Sequence, residues 1–235
     1  MGADIRLLTW TAVAVGFIHT LLGPDHYIPF IAMSKARGWS FRKTTFITFL
    51  SGLGHVGGGV LIGIIGLALG LTVDRLIPIE ESRGRIAAWL LLGFGLVYMV
   101  WGLKRAYDGQ PHTHGHVHED GTSHDHDHGH LESEHAHVHE SANITPWVLF
   151  TIFVLGPCEP LIPLLMYPAA TQSISGMALV IVAFTAATIA VMLAAVLLAH
   201  RGLSLIRAER LARYTHALAG GMLALCGGGM VFLGL

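Results

Sequence analysis

The stretch GFIHTLLGPDHYIPF, residues 16–30, decides how the chain is read. It is apolar enough to lie in a membrane, yet it carries His19, Asp25 and His26. Ionisable groups in hydrocarbon are expensive and mark functional sites. In an unbroken helix His19 and His26 would share a face but stand two turns, about 10 Å, apart, too far to hold one ion. Pro24 has no N–H for the Thr20 carbonyl and crowds it, so a break is expected here, folding Asp25 and His26 back toward His19. Asp25 is then expected in the first turn of the following half-helix, where a carboxylate suits the positive end of the dipole. The plain alternative is a kinked packing helix whose histidines are satisfied by neighbouring carbonyls.

The surroundings of this stretch are those of an integral membrane protein. The 235 residues are 53% hydrophobic and 12% charged, with a mean hydropathy of +0.60, against about 25% charged residues in soluble domains. Apolar runs near the spanning length of about 20 residues fall at 7–22, 46–71, 86–103, 146–166, 176–199 and 217–235. The expected fold class is all-α: a polytopic membrane protein of six transmembrane helices, with the first and fourth broken. Arg6 alone precedes the first run, and a cleaved signal peptide is not expected. Cys158 and Cys226 are the two cysteines, too few for a disulfide framework. Nothing suggests a nucleic-acid partner, the lipid bilayer is the expected surroundings, and oligomeric state is not legible.

Ten of the fourteen Lys and Arg residues fall in the links after the first, third and fifth runs. The bias toward cytoplasmic loops therefore places both termini outside, with the link between the third and fourth helices inside, in what is read as the inner membrane. The broken stretch also recurs: LGPDHYIPFIAM from Leu22 and LGPCEPLIPLLM from Leu155 are offset by 133 residues. Two three-helix halves in opposite senses, an inverted repeat, account for both observations. The domains are then a first membrane repeat over 1–107, a cytoplasmic linker over 108–144 and a second membrane repeat over 145–235.

The linker is dominated by His112, His114, His116, His118, His124, His126, His128, His130, His135, His137 and His139, interleaved with seven acidic residues. Such a segment has little to pack and is expected to be disordered, binding transition metals weakly without one fixed geometry. A pH-responsive tether or a solvated linker are the alternatives.

Under the 133-residue offset Asp25 corresponds to Cys158 and His26 to Glu159, each pair following Gly-Pro. Imidazole, carboxylate and thiolate together suit a borderline divalent ion (Ni, Co, possibly Zn) better than Mg or Ca. Taken alone, Cys158 reads as a small packed hydrophobe. His55 lies in GLGHVGGG, residues 52–59, where Gly54 and Gly58 form a small-residue face that would let the broken first helix approach. The metal set so defined is His19, Asp25, His26, His55, Cys158 and Glu159. No phosphate-binding GxxxxGK[ST] occurs, so any transport would be gradient-driven, and no enzymatic activity is expected.

His19 with Asp25-His26, Gly54-His55, the histidine-rich linker and the Pro157–Pro160 segment together resemble the nickel/cobalt permeases, in both their uptake and efflux branches. That resemblance implies a secondary transporter of Ni or Co, the divalent ion being its substrate, with His19, Asp25, His26 and His55 as ligands. One residue more than that pattern usually has separates the first two histidines. The linker and compact layout are similar to the efflux branch and the Asp-His pair to the uptake branch; direction stays open, with efflux favoured. The Gly-Pro-Cys break also resembles that of the transmembrane thiol–disulfide electron conductors. Those need a cysteine at the matching position of each half, where this chain has Asp25. A membrane metal sensor or storage accessory protein is a third reading.

Overall fold

The computed structural model describes residues 3–108, 112–117, 123–128, 145–170, 173–205 and 212–234. The membrane body is helical: α1 Ala3–Leu22, a single 3-10 turn Pro24–His26, α2 Ile28–Ala36, α3 Phe41–Ala68, α4 Val73–Asp108, α5 Thr145–Leu155, α6 Leu161–Ala170, α7 Ile174–Leu205 and α8 Thr215–Leu233. Among the described residues, five helices (α1, α3, α4, α7 and α8) are long and apolar enough to cross a membrane. Large apolar side chains such as Trp10, Leu22, Val97, Leu225 and Phe232 are largely exposed, as lipid-facing residues must be.

The fourth apolar run is where the sequence reading changes most. It divides into α5, of 11 residues, and α6, of 10, each about half the length a span requires. Pro157 and Pro160, which cannot donate to a helical ladder, occupy the gap. The third run is longer than its hydropathy suggests. α4 starts at Val73 and passes through Pro78, so the charged residues 74–85, read from sequence as a connection, lie on a helix.

The helices pack in pairs. α1 lies against α7 as α5 lies against α3, and α2 meets α8 as α6 meets α4. α4 and α8 share the most extensive contact, through glycines spaced seven apart: Gly95 and Gly102 on α4, Gly220 and Gly227 on α8. A Cβ at Gly220 would collide with the Met99 backbone and one at Gly95 with the backbone of Ala224. Small residues on one face are what let two membrane helices come this close.

Within the linker, residues 112–117 and 123–128 form an antiparallel β-hairpin in the register His112↔His128, His114↔His126 and His116↔His124. His118, His130, His135, His137 and His139 lie outside the described residues.

Candidate functional site

The first break is built by Gly23 and Pro24. The Gly23 amide still bonds to the His19 carbonyl at 3.0 Å, and the chain then turns, with the His26 amide on the Gly23 carbonyl at 3.1 Å. The Tyr27 hydroxyl donates to the Leu21 carbonyl at 3.3 Å, taking up an acceptor that the lost helical turn leaves over. The fold-back expected from the sequence is present, and the His19 and His26 ring centroids are 4.8 Å apart. Asp25, however, sits in the 3-10 turn and not in the first turn of α2, which begins at Ile28.

His55 reaches the same place from α3. Its ring centroid is 4.9 Å from that of His26 and 6.4 Å from that of His19. One nitrogen from each of the three rings falls in a group whose members all lie within 4.8 Å of one another. Nitrogens bound to a single ion at about 2.1 Å stand no more than about 4.2 Å apart, so a small side-chain movement separates the group from coordination. Hydrogen bonds at the rings show how two of them are oriented. His26 Nδ1 donates to the Gly23 carbonyl and to Asp25 Oδ1, both at 3.1 Å, and His55 Nδ1 donates to the Phe153 carbonyl at 3.3 Å. Since these partners only accept, each Nδ1 donates its proton to them and Nε2 is the nitrogen left for a ligand, the arrangement that fixes metal-binding imidazoles. The buried Nε2 atoms of His19, His26 and His55 are all without a hydrogen-bond partner.

The small-residue face of α3 meets a different neighbour from the one expected. Gly54 packs on Phe150 and Val154 of α5, and Gly58 on Arg83 and the Val154 carbonyl. Gly59 packs on Cys158 so closely that a Cβ there would stand 3.0 Å from the Cys158 Cβ. The face therefore receives the second broken span, while His55 reaches across to the first. The two breaks do meet: Asp25, His55, Phe153, Gly156 and Met230 line one cavity of about 20 Å³, room for one water-sized occupant.

Cys158 and Glu159 stand apart from the histidines. Cys158 is fully buried against Val56, Leu161 and Leu165, whereas Cys226 packs in the separate apolar cluster around Leu223, and both thiols are free. Glu159 is exposed and lines a second cavity, of about 270 Å³, with Glu81, Arg85, Pro157 and Met230.

Two groups of residues escape the sequence reading. On α3, Thr48 and Ser51 precede His55 at helical spacing, and their buried hydroxyls, with that of Thr188 on α7, have no hydrogen-bond partner. On α4, Glu80 is completely buried and paired with Arg83. Arg83 Nη2 donates to the carbonyls of Val154 at 2.9 Å and Gly156 at 3.0 Å, and Glu80 Oε2 accepts the Cys158 amide at 3.1 Å. The available signal was an acid and a base three residues apart, one turn ahead of a long apolar run.

Comparison with known families bears on the second break. Residues 28–229 match the family described as the cytochrome c biogenesis protein transmembrane region. The chain belongs to that family. No curated protein and no solved structure matches it significantly. Membership overturns the resemblance to the nickel/cobalt permeases and, with it, the reading as a gradient-driven Ni or Co transporter; the assignment to nickel and cobalt transport and metal homeostasis falls too. The physical reason is the short reach of the motif that carried the likeness. His19, Asp25, His26 and His55 say what one pocket can ligate, whereas the family match runs from α2 into α8, Gly-Pro-Cys break included. The match begins two residues beyond His26 and, of the three pocket histidines, includes His55 alone.

Proposed function

We propose that this chain is a transmembrane thiol–disulfide component of cytochrome c biogenesis, with Cys158 as its reactive sulfur. The observation carrying this reading is the family match across 28–229, which contains a buried cysteine at a proline-flanked helix break. With Asp25 at the corresponding position of the first break, and with Cys226 in another apolar cluster, the reading requires one thiol to work by exchange with partners. The Cys158 thiolate attacks a partner disulfide, forming a mixed disulfide and releasing one partner thiolate. A thiolate of a reduced dithiol partner then attacks the Cys158 sulfur, releasing the first partner as its dithiol, and its second thiol resolves the new mixed disulfide to set Cys158 free. Two electrons pass from dithiol to disulfide and Cys158 is regenerated. Because Cys158 has no exposed surface, exchange needs the α5–α6 break to open. The paired helix packing supports two three-helix repeats, and the bias of Lys and Arg among the links supports opposite senses for them, with both termini outside and the linker cytoplasmic.

The test is reduction of a disulfide protein enclosed in liposomes by a dithiol protein added outside. Cys158→Ser should abolish it and Cys226→Ser should leave it above half of the parent rate. Undiminished transfer by Cys158→Ser rejects the reading.

The histidine pocket favours an additional role. Three convergent imidazoles, each with a buried, unpartnered Nε2, suit a bound borderline ion of the Ni, Co or Zn kind, with Asp25 holding His26 in its tautomer. The chain would retain this ion as a resident centre or as a metal-handling accessory. Its test is metal content after purification with the linker deleted: about one ion per chain is expected, falling at least tenfold in His26→Ala.

A further inference from the structure

The second break is held from outside itself. Ending α5 at Leu155 leaves carbonyls without helical donors, and starting α6 at Leu161 leaves amides without acceptors. One ion pair on α4 serves both ends: Arg83 donates to the Val154 and Gly156 carbonyls, and Glu80 accepts from the Cys158 amide. The signs also match the helix dipoles, with the cation at the C-terminal end of α5 and the anion ahead of the N-terminus of α6. α4 lies tightly against the gap, since a Cβ at Gly84 would stand 2.8 Å from Pro157 Cγ. Glu80 has no exposed surface, and the Arg83 side chain is 13% exposed. A buried pair of this kind makes a poor general stabiliser, because removing both charges together is often neutral, but it fixes a particular geometry.

We infer that Glu80 and Arg83 are positioning residues that latch the α5–α6 break shut and so determine when the Cys158 sulfur can be reached. Opening the break to a partner thiol requires Arg83 to release Val154 and Gly156, and the Cys158 amide moves with it. The inference deepens the thiol reading above, but its test does not depend on electron transfer.

The experiment is the rate of Cys158 alkylation by N-ethylmaleimide in the full chain carrying Cys226→Ala, in detergent well below its unfolding temperature. Glu80→Gln and Arg83→Gln should each accelerate alkylation at least tenfold. Arg83→Lys should fall between, since one ammonium keeps the charge but not the two-carbonyl reach. Arg75→Gln, an exposed position on the same helix, should stay within twofold of the parent. The double variant Glu80→Gln/Arg83→Gln leaves no unpaired buried charge and should be as fast as either single change, which covers the case in which the single variants do not fold. In the unaltered chain, deuterium exchange of the Cys158 amide, bonded to Glu80, should be at least a hundredfold slower than that of the amide of the exposed residue Glu159. Alkylation within twofold of the parent in the folded variants, or equal exchange at the two amides, overturns the latch. A normal alkylation response in a chain that transfers no electrons would instead retain the latch and reject the thiol reading.

Discussion

His26 and His55 each commit Nδ1 to a backbone carbonyl and leave Nε2 without a partner, so the pocket is oriented by main chain that the two breaks set free. Asp25 is part of that orientation through its bond to His26. Asp25→Asn should therefore weaken ion retention without emptying the pocket, roughly 10–100-fold in affinity, as loss of an outer partner does elsewhere; titration of the loop-deleted chain with Co or Zn checks it. At the other break, Glu80→Ala would leave Arg83 as a buried, unpaired cation, which costs about 3–5 kcal/mol. A large drop in the midpoint of thermal unfolding is expected, recovered in part by adding Arg83→Gln. The histidine pocket was legible because imidazoles and a carboxylate stand out in apolar sequence. Glu80 and Arg83 were not, because charges next to Pro78 read as a connection until the helix that carries them is known to begin at Val73.

At the level of elements, proline and glycine do most of the positioning. Pro24 supplies the turn that brings His26 back to His19, and this followed from the missing N–H alone. The partner of the α3 glycine face did not, since a small-residue stripe says that a helix comes close without saying which one. It receives α5, so the reading that brought α1 there had the right packing mechanism and the wrong neighbour. The α4–α8 contact offers a direct check. Gly220→Ala forces a Cβ against the Met99 backbone, whereas Gly57→Ala enters open space. Overpacking of this kind costs about 1–3 kcal/mol, so the first change should lower the unfolding midpoint and the second should leave it unchanged or slightly higher.

For the molecule as a whole, the helices pack in corresponding pairs and the two breaks reach one small cavity, while the chemistry at the breaks differs. The first break presents histidines and a carboxylate; the second presents a thiol under a latch. A local motif in one half resembled a metal permease, and the pattern over 28–229 belongs to the cytochrome c biogenesis transmembrane family. Membrane character, the breaks and the repeat offset could all be seen in the sequence, because hydropathy and proline act locally. The division of the fourth run into two short helices, the reach of α4 to the gap and the separation of Cys158 from the histidines depend on tertiary packing, and sequence spacing carries no record of them.

Whether Cys158 exchanges disulfides can be read from its chemical state in working cells. Acid quenching followed by alkylation and mass spectrometry should find a fraction of Cys158 joined through its sulfur to a partner thiol, with the adduct absent from Cys158→Ser and cytochrome c maturation failing in that variant. Finding Cys158 fully reduced and unmodified while maturation proceeds, and proceeds equally well in Cys158→Ser, would contradict a thiol-exchange role.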